Sequence, residues 1–112
     1  MHEMSLIESV VGLIEDERRR QTFSRVRTIR LRVGKLGHAE PEALRFCFDA
    51  ITAGTIAEGA ELLIQMVPGA GWCDQCDRTV PLDDRFEPCP FCGSQVRMTA
   101  GDDLKVAELE VD

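Results

Sequence analysis

Residues 73–93 read CDQCDRTVPLDDRFEPCPFCG, two Cys-x-x-Cys pairs, Cys73/Cys76 and Cys89/Cys92, separated by twelve residues. A two-residue gap lets each pair bind a metal from one tight turn. Together the four thiolates close a tetrahedron with each sulfur about 2.3 Å from the ion. Gly93 follows the last sulfur, where the backbone is often crowded or left-handed. The loop between the pairs is slightly shorter than in most zinc ribbons and leaves space for a small hairpin. Zinc is the favoured ion. A rubredoxin-like iron site, suggested by Cys-Pro-Phe-Cys-Gly, and a dithiol redox pair are the alternatives. A closed four-sulfur shell has no open position for water or substrate, so the expected role is folding and not catalysis.

Outward from this stretch the composition changes. Residues 69–101 hold four of the five cysteines and three of the five prolines, with few aliphatic side chains. Before them, Met4 to Arg20 places Met4, Ile7, Val11 and Ile14 at helical spacing, with Leu6, Val10 and Leu13 widening the stripe. The following Glu15-Asp16-Glu17-Arg18-Arg19-Arg20 favours i,i+3 and i,i+4 pairs and reads as a solvated helix end, or alternatively as a surface for an acidic partner. From Val26 to Val33 the period changes to two, Ile29, Leu31 and Val33 alternating with Thr28, Arg30 and Arg32. Pro41 opens a second helix carrying Leu44, Cys47, Phe48 and Ile51 on one face and stopping at Gly54. Residues 60–67 read as a mostly buried strand closed by Pro68-Gly69. After the cysteine stretch, Leu104 to Val111 resumes a strand pattern.

The expected fold is therefore α+β: a small mixed three-stranded sheet with two helices, plus an inserted four-cysteine zinc-ribbon module. One domain takes residues 1–68 and 102–112, and the ribbon takes 69–101, the last strand returning to the first domain's sheet. Cys47, between Phe46 and Phe48, reads as a small core residue.

At 112 residues with 44% hydrophobic and 29% charged side chains, the chain suits one globular domain with an accessory module. Its net charge of −7 repels phosphate backbones and anionic lipid. The ribbon itself carries Asp74, Asp77, Asp83, Asp84 and Glu87 against Arg78, Arg85 and Arg97. Nucleic acid and membrane are thus not expected as partners. No signal-peptide pattern opens the chain, and the expected location is cytoplasmic, where cysteine pairs bind metal more often than they form disulfides.

His2 is the second chemical signal. Beside a free amino terminus, its imidazole, its own backbone nitrogen and the Met1 amine form a fused chelate suited to Ni(II) or Cu(II), and Glu3 can supply a backbone nitrogen or a carboxylate oxygen. The dipeptide by itself is equally consistent with an idle terminal histidine. His38, in the 37–41 loop, reads as a solvent-exposed residue, with metal ligation as the rarer alternative.

The opening Met1-His2-Glu3-Met4-Ser5-Leu6, the stretch Leu44-Arg45-Phe46-Cys47-Phe48-Asp49, and Ala57-Glu58-Gly59 resemble the HypA/HybF family of hydrogenase nickel-insertion accessory proteins. The cysteine pairs sit where that family has its zinc ribbon. The resemblance implies a nickel metallochaperone, not an enzyme, with Ni(II) held at His2 beside Met1 and Glu3, and structural Zn(II) held by Cys73, Cys76, Cys89 and Cys92. It also implies delivery to the [NiFe]-hydrogenase large subunit with a HypB-type GTPase, or service to urease, and leaves room for a homodimer. An acidic residue near the start of the second helix is implicated in some members; Glu40 and Glu42 are the candidates here. The rival classes are a zinc-ribbon adaptor indifferent to nickel and an iron–thiolate electron carrier.

Overall fold

The computed structural model describes residues 2–112. Its elements follow the order α1 (His2–Arg20), β1 (Val26–Gly34), a 3₁₀ turn (Lys35–Gly37), α2 (Pro41–Thr52), β2 (Glu61–Val67), β3 (Gly69–Cys73), β4 (Arg78–Leu82), β5 (Arg97–Ala100) and β6 (Leu104–Val111). The chain falls into two compact units. One comprises the residues up to Arg32, Ala39–Gln65 and Lys105–Asp112; the other comprises Val33–His38 and Met66–Leu104.

In the first unit α1 packs on α2. Ile7, Val10 and Ile14, spaced three and four apart, are wholly or almost wholly buried from α1, and Leu44, Cys47 and Phe48 from α2. Each large apolar side chain so buried contributes about 1.5–3 kcal/mol. Leu13, expected on the widened stripe, is instead 51% exposed. Arg19 pairs with Asp16 and Arg20 with Glu17 across one helical turn, so the charge run is a solvated helix end. Pro41 takes the first turn of α2, where its missing N–H needs no partner. The sheet has the order β2-β1-β6. Ser24 N–H donates to Asp112 and Gly34 N–H to Asp103, so β1 and β6 run antiparallel. Val26, Ile29, Leu31 and Val33 of β1 are buried. Arg27 and Arg30 reach Glu110 and Glu108 of β6.

In the second unit β3 pairs antiparallel with β4 in the register Gly69↔Leu82 to Cys73↔Arg78, and β5 lies on the other side of β3. The small hairpin expected between the cysteine pairs forms instead around the first pair, with β3 before it and β4 after it; β5 was not expected, because Arg97–Ala100 is four residues long with only Met98 as a large apolar side chain. Val33–His38, placed by sequence in the 1–68 domain, clusters here instead. The reason is hydrogen bonding: Gly34 N–H donates to the Asp103 carbonyl at 2.7 Å, Leu36 N–H to Gly101 at 2.8 Å, and Arg85 Nε to Leu36 at 3.1 Å.

Candidate metal sites

Strand β3 ends on Cys73, and a tight turn carries Cys76 back to β4. The second pair lies in the irregular segment before β5. The four Sγ atoms lie within 4.8 Å of one another. Cys73 and Cys92 approach to 3.6 Å, and Cys76 and Cys89 to 3.9 Å. A tetrahedron whose corners lie about 2.3 Å from its centre has edges of about 3.8 Å. Two of the six sulfur–sulfur edges therefore match a tetrathiolate zinc site, and none of the others exceeds 4.8 Å.

Backbone groups build the two halves alike. Cys76 N–H donates to Cys73 Sγ and Phe91 N–H to Cys89 Sγ, both at 3.4 Å. The residue after each pair is left-handed, Asp77 with φ 53° and Gly93 with φ 75°. Gly93 was legible as such a position. Asp77 was not, although aspartate is among the few side chains that tolerate it. Val80 and Val96 pack around the sulfurs, Cys73 and Cys89 are buried, and Cys92 is exposed.

The thiols are unequal in charge as well. Hydrogen bonds from the Ser94 side chain and backbone bring Cys92 down to about 6. Proton sharing with Cys92, then desolvation, pushes Cys76 up to about 12. Desolvation opposes the Cys89 thiolate, but the N–H groups of Phe91 and Cys92 outweigh it and the net direction is down. Hydrogen bonding thus favours the thiolate form at Cys92 and Cys89 and the thiol form at Cys76.

In the other unit His2 is the first residue of α1 and is exposed. Met1, the amine donor in the expected chelate, lies outside the described residues. The Glu3 carboxylate accepts the Glu40 N–H at 3.1 Å, and this bond holds Glu3 below its usual value of 4.5. Glu40 is the N-cap of α2, in extended backbone (φ −84°, ψ 122°), and its side chain makes no capping bond. Glu3 therefore does from another helix what a capping-box glutamate does from within one. Glu42 lies exposed in the first turn of α2. His38 sits in the cysteine-bearing unit in left-handed backbone. Among the described residues the four cysteines are the one group of three or more His, Cys, Asp or Glu side chains positioned to share an ion, and the side chains of His2, Glu3, His38, Glu40 and Glu42 do not form another. Cys47 is buried in the helical core, as expected.

An α+β unit and a three-stranded unit built around four converging sulfurs define a small metal-binding protein. The family model described as "Hydrogenase/urease nickel incorporation, metallochaperone, hypA" matches residues 1–111. The chain belongs to that family, whose members are metallochaperones and maturation factors and not enzymes. Hydrogenase maturation factor HypA of Methylocella silvestris is 72% identical over the full length of both chains. That of Rhodopseudomonas palustris strain BisA53 is 57% identical, again over the full length of both. The solution structure of the Ni metallochaperone HypA from Helicobacter pylori shares the fold, with a TM-score of 0.72 at 17% identity over 97% of this chain and 96% of that one.

Proposed function

We propose that this metallochaperone binds Ni(II) at its N-terminus, through the His2 imidazole and the nitrogens of Met1, His2 and Glu3, and holds structural Zn(II) at Cys73, Cys76, Cys89 and Cys92. In this reading the nickel domain is 1–68 with 102–112, apart from Val33–His38, 66–68 and 102–104, which cluster with the zinc domain 69–101. The observation that carries the nickel assignment is the Glu3–Glu40 bond. It fixes one oxygen of the Glu3 carboxylate beside the start of α2, and Glu3 can still offer a metal either its main-chain nitrogen or its other carboxylate oxygen. The N–H groups in the first turn of α1 have no intrahelical acceptor, so converting them to metal donors breaks no helix bond. A helix N-terminus repels cations, and the Glu3 carboxylate offsets that repulsion. Glu40 and Glu42 at the start of α2 are the candidates for a further oxygen donor, and the Glu40 carboxylate is not spent on capping α2.

Zinc supplies folding free energy to the ribbon, because the unfolded chain has no preformed site. The fit of the sulfur spacing to a tetrathiolate shell supports this. The nickel recipient is the [NiFe]-hydrogenase large subunit, a HypB-type GTPase assists the transfer, and the setting is the cytoplasm, where the thiols stay reduced. No helix of the described residues is long and apolar enough to cross a membrane.

Nickel titration with elemental analysis tests the assignment. His2→Ala, and separately a blocked amino terminus, are expected to abolish stoichiometric nickel binding and to leave one zinc per chain. Stoichiometric nickel retained by His2→Ala would refute it.

A further inference from the structure

The two halves of the sulfur cluster are held to the fold by different means. Cys73 and Cys76 belong to the β3–β4 hairpin, whose ladder runs from Gly69↔Leu82 to Cys73↔Arg78. Cys89 and Cys92 lie in no strand. Among the described residues the hydrogen bonds of 89–94 close within that segment, apart from the sulfur–sulfur contacts. Cys89 N–H donates to the Ser94 carbonyl at 2.8 Å and Gly93 N–H to the Cys89 carbonyl at 2.9 Å, while Phe91 N–H donates to Cys89 Sγ at 3.4 Å. Cys89 packs with Cys73, Val80 and Val96, whereas Cys92 is exposed.

A contact between charge and ring crosses from one half to the other. The Arg78 guanidinium, on β4, lies over the ring of Phe91, 4.1 Å from its centre, and Phe91 stands between the two cysteines of the second pair. The negative face of the ring attracts the cation. Phe91 is 59% exposed, so burial alone does not fix the ring there. Among the described residues Arg78 makes no ion pair. Arg85, the other cation between the first and last cysteine, is turned to the Leu36 carbonyl and to Asp102. Four thiolates on a divalent ion leave two net negative charges, and the uncommitted cation of residues 73–92 stands at the register position opposite Cys73.

We propose that zinc leaves by opening of the second cysteine pair, and that Arg78 and Phe91 latch that pair shut. This rests on the zinc reading given above. The hairpin half is fixed by its ladder, so the half that swings is 89–92, and the exposed Cys92 is the sulfur an incoming ligand reaches first. Neither Arg78 nor Phe91 is a ligand. They act on how often the knuckle opens, and so keep the structural metal in place while the nickel site exchanges its cargo. A cation–π pair at an exposed site changes such an opening equilibrium by about two- to fivefold.

The test follows zinc transfer from the full-length, zinc-loaded chain to an excess of a metallochromic chelator, at concentrations where the rate no longer rises with chelator. Arg78→Ala and Phe91→Leu are each expected to speed release about two- to fivefold. The double variant is expected to be no faster than the faster single one, because the same contact is lost in all three. Phe91→Tyr keeps the ring and the wild-type rate. Arg97→Ala, which removes an exposed cation from β5 of the same unit, also leaves the rate unchanged, and every variant retains one zinc per chain. Single variants that release zinc at the wild-type rate, or a double variant whose acceleration is the product of the two singles, overturn the latch and leave the zinc reading standing. Equal acceleration by Arg97→Ala overturns it as well, since net charge and not the contact would then govern release. A latch variant that purifies without zinc does the same, because the pair would then be needed to form the site. Wild-type protein without zinc refutes the zinc reading and the latch together.

Discussion

Replacing Gly34 by alanine tests whether Val33–His38 is welded to the cysteine-bearing unit. Gly34 has φ −70° and ψ 131°, backbone that any residue adopts, so the substitution acts through space alone. The new Cβ would lie 2.2 Å from the carbonyl carbon and oxygen of Gly101, over an ångström short of ordinary contact, and 2.6 Å from the nitrogen of Asp102. These are main-chain atoms, which cannot rotate aside. Relief requires the 33–38 segment to lift from 101–103, weakening the Gly34–Asp103 and Leu36–Gly101 hydrogen bonds. Overpacking costs about 1–3 kcal/mol and two weakened bonds about 1 kcal/mol each, while the stiffer unfolded chain returns up to about 1 kcal/mol. The expected loss is about 2–4 kcal/mol. Gly12→Ala is the control with the opposite sign. It lies within α1 with nothing inside 4 Å of the new methyl, and helix propensity predicts a gain of about 1 kcal/mol. Urea unfolding of zinc-loaded protein, followed by emission of Trp72 for the second unit and by ellipticity at the helix band for the first, reads both. An unchanged or raised Trp72 midpoint in Gly34→Ala would refute the reasoning.

The Glu3 carboxyl is expected to titrate below 4.5; because the folded value is depressed, its bond to Glu40 stabilises above the unfolded value and is lost as pH falls through the folded one. Carboxyl carbon shifts of Glu3 and the amide proton shift of Glu40 should share that midpoint, and a Glu3 midpoint at or above 4.5 counts against the bond. Zinc uptake at neutral pH should release fewer than four protons, since Cys92 at about 6 is already ionised; calorimetry in buffers of different ionisation enthalpy measures this, and four protons released would contradict the Cys92 assignment. The native protein should be colourless with one zinc per chain, and stripping that zinc with a chelator should shift Trp72 emission while leaving the helical signal of the other unit; a red iron–thiolate protein would exclude the zinc reading. Leu44→Ala should cost about 2–5 kcal/mol, seen in the helical unfolding curve with zinc content intact, and a loss under 1 kcal/mol would show that the α1–α2 core collapses around the cavity.

The helices, β1, β2 and β6 were legible because each repeats an apolar residue at the period of its own geometry over at least seven residues. The four sulfurs were legible because spacing alone constrains them. What escaped was set by contacts distant in sequence. β5 carries no pattern of its own and is a strand only because β3 lies beside it with a free edge. At Gly34 the β1 pattern breaks and Lys35–Gly37 turns as a 3₁₀ segment, and nothing in the composition of Val33–His38 announces that it bonds to 101–103. Glu3 was singled out as a donor by its place beside His2, and Glu40 by resemblance. That they meet, the carboxylate of one on the N–H of the other, depends on the packing of α1 against α2, which no local signal contains.

The two proposed metal sites keep their ions apart by geometry and not by affinity. Four thiolates at tetrahedral spacing suit zinc, which has no electronic preference to satisfy and accepts the shape the sulfurs impose. Amine, imidazole and main-chain nitrogens in one plane suit Ni(II), and give zinc no comparable gain. Accessibility differs in the same sense: Cys73 and Cys89 are buried with N–H groups on the sulfurs, so zinc leaves only if a knuckle opens, whereas His2 stands exposed at the first position of α1. Copper would outcompete nickel at such nitrogens on affinity alone. Fidelity at the nickel site therefore depends on which metal is supplied and on the partner that accepts it, which places selection in the docking step and gives the surfaces that bind partners as large a part in function as the ligands themselves.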